Sequence, residues 1–372
     1  DIDAPAVDPA PAAPLRLAPY APLITTPRGI QYLVVTHPDF RKQANALATL
    51  KRAEGYRTAV VDVQQTYDAY SGGIVEARAI ARLIADVARA GKLQYVLLMG
   101  DDSFDPLNHF GTSSASYIPS LYAWDDEFGR IPSEVLFADV NGDRSPDVAI
   151  GRLPVQSAEE ATAVVAKIAR QAATLRAQGG RQVVAIDNQG ADDPSFEGLA
   201  QQALTRLPGK PVTFARIADG TDIARAALRQ GLFKGAQATH FFGHGSFPTW
   251  ADEDLLNADE VEDLAGSPET VVFAWACESQ WFLWPFGSSL GEALVLLPHG
   301  GAVASFGPTG ITDPDAQAEL LAELYPRAFS KNLTLGEAIR QAKAAVLAKD
   351  PGRLGVVVHG FNLLGDPSLR LK

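Results

Sequence analysis

Short runs of apolar, often β-branched residues alternate along this chain with longer stretches whose apolar positions recur every three to four residues. That pattern predicts strands followed by amphipathic helices, the βαβ rhythm of a parallel sheet. QYLVVT (31–36) reads as a strand and 40–56 as its helix; TAVVDV (58–63) as a second strand and 76–91 as its helix; YVLLMGD (95–101) as a third strand. A loop-rich stretch, 102–146, interrupts the rhythm. DVAIGRLP (147–154) resumes it, and 158–178 predicts a long amphipathic helix that bridges two halves. A second cycle runs through strands 182–187, 212–217, 239–244, 271–277 and 302–306. Its helices are expected at 196–206, 222–232, 289–297, 315–329 and 335–349, and the tail VVVHGFNLLGDPSLRL is expected to end the sheet.

A length of 372 residues exceeds a usual single core. The rhythm divides it into two α/β units, 21–178 and 179–372. Residues 1–20 open DIDAPAVDPAPAAP, too rich in Pro and Ala for a packed core. They read as a linker, or as a mature N-terminus left when an export signal is removed.

Composition narrows the class. The chain is 47% hydrophobic and 20% charged, as a globular enzyme is. A net charge of −12 argues against a general nucleic-acid binder, since no cationic excess is there to neutralise phosphates. No apolar run reaches the roughly 18 residues of a membrane span. The single cysteine, Cys277, rules out an intramolecular disulfide and leaves the compartment open.

Two strand ends carry candidate chemistry. THFFGHGS runs an apolar strand into His244-Gly245, and VVFAWACES runs another into Ala276-Cys277-Glu278. Ligands of an open parallel sheet gather at the carboxyl ends of its strands, so this His and Cys can face one cleft. A thiolate attacks, and a nearby imidazole stabilises it and moves protons. The backbone N–H groups of Gly245 and Cys277 are the candidates for an oxyanion hole, where one donor contributes roughly 3–4 kcal/mol. Taken singly, a strand-end cysteine is more often a small buried hydrophobe; the pair on two strand ends is what raises the case. Trp250, Trp275, Trp281 and Trp284 cluster around these residues in sequence, either lining an apolar pocket or filling the core beneath. Strand alternation puts Trp275 in the core and leaves Trp250 and Trp281 as the pocket candidates. His240, four residues before His244 on the same strand, is expected to be a packed residue. The remaining histidines lack a second ligand at zinc spacing.

FFGHGS, Trp250 six residues past the His, FAWACES, SLGEALVL, GGAVASFG and LLGDPSL together resemble the gingipain family of cysteine peptidases. YVLLMGDDSFDP and DVAIGRLPV resemble that family's preceding subdomain, and the likeness covers most of 30–372. It implies a caspase-like α/β fold: two side-by-side subdomains with mainly parallel sheets and flanking helices, the second (179–372) carrying the His/Cys dyad. It also implies an endopeptidase acting on protein or peptide substrates through a Cys277 thioester, with His244 as general acid and base and no organic cofactor. An exported or cell-surface location follows, as does a longer precursor with a pro-segment or an immunoglobulin-like domain. An acidic residue beside the His falls, on a loose match, at Asp187, with Asn188 as the fallback. Arg or Lys selection is not carried over: Asp192, Asp193 and Glu197 lie near the expected pocket loop, but the family's acidic position falls closer to Ser195. Asp193 and Ser195 therefore join Trp250 and Trp281 as pocket candidates. A sortase-like transpeptidase using the same dyad, and a catalytically silent calcium-stabilised binding module, are the alternatives.

DVNGDRSPD (139–147) places oxygen donors at Asp139, Asn141, Asp143 and Asp147 around a glycine turn, as hard cations such as calcium prefer. Ile150 stands where a full calcium loop carries its Glu, so the competing reading is a solvated acidic turn. The resemblance adds a structural calcium ion to the expectation.

Overall fold

A computed structural model of the chain describes residues 26–112, 114–125, 129–188, 195–207, 211–329 and 332–371. The predicted strands form as β1 (Tyr32–Thr36), β2 (Thr58–Asp62), β3 (Tyr95–Met99), β4 (Ala149–Leu153) and β5 (Gln182–Ile186). They continue as β6 (Val212–Arg216), β7 (Ala238–Phe242), β8 (Thr270–Trp275), β9 (Ala302–Pro308) and β10 (Phe361–Gly365). All belong to one sheet in the order β2-β1-β3-β4-β10-β9-β8-β7-β5-β6. Every pairing is parallel except β9 with β10.

Successive residues of the central strands are buried on opposite faces, which explains their unbroken apolar runs. On β5, Val184 and Ile186 pack with Phe242 against helices Phe196–Leu204 and Pro314–Phe329, while Val183 and Ala185 pack with Phe241 on the other face. Helix Ala158–Ala177 starts on Ser157, whose side chain accepts the Glu160 N–H, and follows β4 as predicted.

Three features depart from the expected pattern. A helix, Val63–Tyr70, follows β2 directly, capped by Asp62. The stretch 102–146 contains a hairpin, Tyr122–Asp125 with Gly129–Pro132, and a short helix, Val135–Ala138. The tail does not end the sheet: Gly355–Gly360 is helical, and β10 lies inside the sheet between β4 and β9. Its strand FNLLG is buried throughout, so an edge position would leave apolar faces and ladder groups in water. Close packing accompanies the insertion. A Cβ on Gly151 would sit 2.3 Å from the Gly365 carbonyl oxygen, and one on Gly365, at φ +142°, would sit 2.7 Å from the Ala304 Cβ.

Just past β10, buried Asp366 ties the two strand sets together. It accepts from Tyr32 Oη at 2.9 Å and from Gln171 Nε2 at 3.1 Å, and pairs with fully buried Lys51 at 2.5 Å. The Ser368 N–H and hydroxyl complete its shell. Lys51 and hydrogen bonding hold this carboxyl below its ordinary pKa despite burial, which pulls the other way.

Candidate active site

The site stands at the carboxyl ends of β7 and β8. These strands are parallel neighbours in a register that pairs Phe242 with Trp275. His244 and Cys277 each lie two residues beyond that pair, and the Gly243 N–H extends the ladder to the Trp275 carbonyl at 3.2 Å. The structure therefore brings the two predicted catalytic side chains to one edge of one sheet. His244 is exposed and Cys277 half-buried.

Gly245 makes the close approach possible. A Cβ there would lie 3.0 Å from both the Ala276 Cβ and the Cys277 carbonyl oxygen. Gly245 also bridges to Trp250, but the hydrogen bonds of that bridge come from the Ser246 and Ala251 N–H groups on either side. The Gly245 N–H stands outside the ladder.

The peptide between Ala276 and Cys277 is held from below. The Ala276 carbonyl accepts from Gln317 Nε2 at 2.9 Å and from Thr312 Oγ1 at 3.2 Å, and Gln317 also donates to Thr312 at 2.8 Å. In a trans peptide the N–H points opposite to the C=O. Anchoring this carbonyl on the core side therefore turns the Cys277 N–H away from Gln317 and Thr312. Sequence reasoning missed both residues. The signal was present for Gln317, an amide on the buried stripe with Ala316, Leu320, Leu321 and Leu324.

The Cys277 sulfur lies 3.8 Å from the Thr312 carbonyl oxygen. Burial pushes its thiol above the ordinary value; the contacts to Thr312 oppose that shift, and the charge of Glu278 adds to it. Glu278 itself is in the left-handed region, φ +49°, which turns the chain immediately after the cysteine. Its N–H reaches the Gly310 carbonyl at 3.1 Å, and the Gln280 N–H reaches that of Pro308 at 2.9 Å, tying the turn to the end of β9.

Asp187 follows β5, next to β7 in the sheet. Its Oδ2 accepts the backbone N–H of His244 at 2.9 Å and its Oδ1 that of Asn188 at 2.8 Å. The carboxylate thus fixes the strand end that presents the imidazole. Burial raises its pKa while those two N–H groups lower it. Asn188 donates instead to Glu253 at 2.6 Å. The His244 ring packs edge-on against Phe196, with centroids 5.0 Å apart.

The pocket candidates separate. Trp250 is only 1% exposed and stacks on Phe241 at 4.7 Å, so it is core beneath the site; the strand bridge that anchors it also turns it inward. Trp281 is half-buried beside Trp284 and Phe247. Ser195 caps helix Phe196–Leu204 by accepting the Gly198 N–H at 3.0 Å. Asp193, with Asp192, lies outside the described residues. Glu197 pairs with Arg216 at 3.1 Å. Trp275 is core, as its alternation predicts, and donates to Tyr325 Oη at 3.0 Å. His240 is buried between Tyr325 Oη and Gln182 Oε1, and burial pushes its pKa down to about 3.

The acidic loop folds around its own backbone. Asp139 accepts the N–H groups of Gly142, Asp143 and Arg144, Asn141 that of Asp143, Asp143 that of Ser145, and Asp147 that of Val140. Among the described residues no three acidic, His or Cys side chains converge as a metal site. All four predicted donor side chains, Asp139, Asn141, Asp143 and Asp147, are engaged with the loop's own backbone.

The chain matches Peptidase family C25 over residues 25–372. Its fold is similar to the crystal structure of the Arg specific cysteine proteinase gingipain R, with a TM-score of 0.75 and 18% identity, covering 94% of this chain and 80% of that one. The complex of Porphyromonas gingivalis RgpB pro- and mature domains gives a TM-score of 0.73 and 19% identity, covering 91% of this chain and 79% of that one. An uncharacterized protein of Archaeoglobus fulgidus is 26% identical over 152 residues, and that match spans 37% of this chain and 34% of the relative. The transpeptidase and binding-module alternatives gain nothing from these matches.

Proposed function

Because this chain belongs to peptidase family C25 and is on that ground a cysteine endopeptidase, we propose that Cys277 is its nucleophile and His244 its proton carrier. The observation that carries the assignment is the pairing of β7 with β8, which sets both side chains two residues past one register position.

Burial keeps the resting sulfur protonated more than an ordinary thiol, so the proton leaves for the His244 imidazole as Sγ attacks the substrate carbonyl carbon. The C–S bond forms, the carbonyl π pair moves onto oxygen, and the N–H groups of Gly245 and Cys277 receive that charge. Collapse breaks the C–N bond, and the imidazolium gives its proton to the departing amine, leaving a thioester. His244 then takes a proton from water as it attacks the thioester. The second collapse releases the acid and returns the proton to sulfur. In this scheme Asp187 is a positioning residue that acts through the His244 backbone, and Gln317 and Thr312 position the oxyanion donor of Cys277.

The substrates are protein or peptide chains. An exported or cell-surface location belongs to the same proposal; among the described residues no helix is long and apolar enough to cross a membrane. The arginine preference in the name of gingipain R is not transferred. No step runs through a metal ion.

Profiling a diverse peptide library with the wild type, Cys277→Ala and His244→Ala tests the assignment. Each substitution is expected to lower kcat/KM by about 10⁴-fold or more without moving the melting temperature. Undiminished turnover by Cys277→Ala would remove the nucleophile. The same assay in EGTA tests calcium: unchanged activity and melting temperature leave 139–147 as a self-capped turn.

A further inference from the structure

Six aromatic rings form a continuous surface beginning at the two catalytic loops. Phe247, three residues past His244, meets Trp281, four residues past Cys277, at 6.5 Å. Trp284 contacts both, at 5.2 and 5.6 Å. From Trp284 the surface continues to Phe104 at 5.8 Å and to Phe286 at 5.3 Å, and Phe110 closes it at 6.0 Å from Phe104 and 5.4 Å from Phe286. The outer rings face water: Phe104 is 40% exposed, Phe110 57% and Phe286 56%.

These rings are not loose side chains on wandering loops. Buried Asp105 accepts the N–H groups of His109 and Phe110 at 2.8 and 2.7 Å, which fixes the loop that presents Phe110. The Phe104 N–H donates to the Leu283 carbonyl at 3.0 Å, tying that loop to the segment bearing Trp281, Trp284 and Phe286. The Leu290 N–H reaches the Phe247 carbonyl at 2.7 Å, tying in the loop past His244. Exposed aromatic area held by a buried polar framework is costly to leave in water and marks a surface made to be covered.

We propose that this surface is a substrate subsite for bulky apolar side chains, so that the enzyme prefers peptides with Phe, Tyr, Trp, Leu or Met at a fixed position near the cleaved bond. The occupant is the substrate because Phe247 and Trp281 sit on the loops that carry His244 and Cys277, so the surface is continuous with the site where the peptide is cleaved. The proposal rests on Cys277 being the nucleophile. Rings from both halves of the molecule contribute, Phe104 and Phe110 from one and Phe247, Trp281, Trp284 and Phe286 from the other, so selectivity depends on both.

The test uses the full chain and matched peptides that differ only by Phe or Ala at the preferred position, with Phe110→Ser and Phe286→Ser as variants at exposed positions. The wild type is expected to favour the Phe peptide, and each variant to lower the Phe-to-Ala ratio of kcat/KM about tenfold. Melting temperature and iodoacetamide labelling of Cys277 confirm that fold and thiol remain in place. Cys277-dependent cleavage with no apolar preference, or an unchanged ratio in both variants, overturns the subsite and leaves the peptidase assignment standing. Cleavage that survives in Cys277→Ala overturns the assignment, and the subsite falls with it.

Discussion

At Cys277 two opposing influences set the reactivity of one sulfur. Burial and the neighbouring charge of Glu278 favour the neutral thiol, while the contacts to Thr312 favour the thiolate. The net shift is upward, so alkylation of the free enzyme by iodoacetamide should be slow in mild acid and rise with pH, with a midpoint above that of an ordinary cysteine. A plateau already reached at pH 6 would mean a thiolate preformed by His244 and contradict the order of events given above. His244 and Cys277 could be chosen from the sequence because each ends an apolar run. The contact of Asp187 with the His244 backbone could not, because nothing local to AIDNQG specifies which donor its carboxylate meets.

Among the elements, helix Pro314–Phe329 does more than cover the sheet. Its first buried turn carries Gln317, which holds the Ala276 carbonyl and so orients the Cys277 N–H. Gln317→Leu keeps the helix and most of the side-chain volume but removes that donor. We expect kcat to fall roughly 10- to 100-fold with KM little changed, because the lost interaction sets a group used in the transition state. Equal loss in KM would mark a general distortion of the site instead. The element pattern was legible wherever a period was long enough to read. The helix Val63–Tyr70 and the paired strands Tyr122–Asp125 and Gly129–Pro132 escaped because short elements carry too few apolar positions to fix a period.

For the whole molecule, the position of β10 joins the strands of residues 32–153 to those of residues 182–308 in one sheet, and the Lys51–Asp366 pair secures that junction. Both partners are fully buried, so Lys51→Met leaves a carboxylate without its cation in the interior. Breaking such a pair from one side costs about 3–5 kcal/mol. The variant should show a lowered urea midpoint with an unaltered slope, and Lys51→Met with Asp366→Leu should recover part of the loss. No recovery in the double variant would show that Asp366 serves mainly through Tyr32, Gln171 and Ser368.

By itself the sequence determined the strands of the large sheet, most of the long helices, the α/β class and the two strand ends proposed to bear chemistry, because apolar periodicity and strand-end position are properties of a few consecutive residues. Only the tertiary structure decided that the tail strand lies inside the sheet and that Trp250 is core. It also decided that rings from residues 104–110 and 281–286 share one surface, and that the Ala276 carbonyl is anchored by groups 36 and 41 positions away. Each of these is a contact between distant segments, set by how the layers close over the sheet, and a contact of that kind leaves no local pattern in the chain.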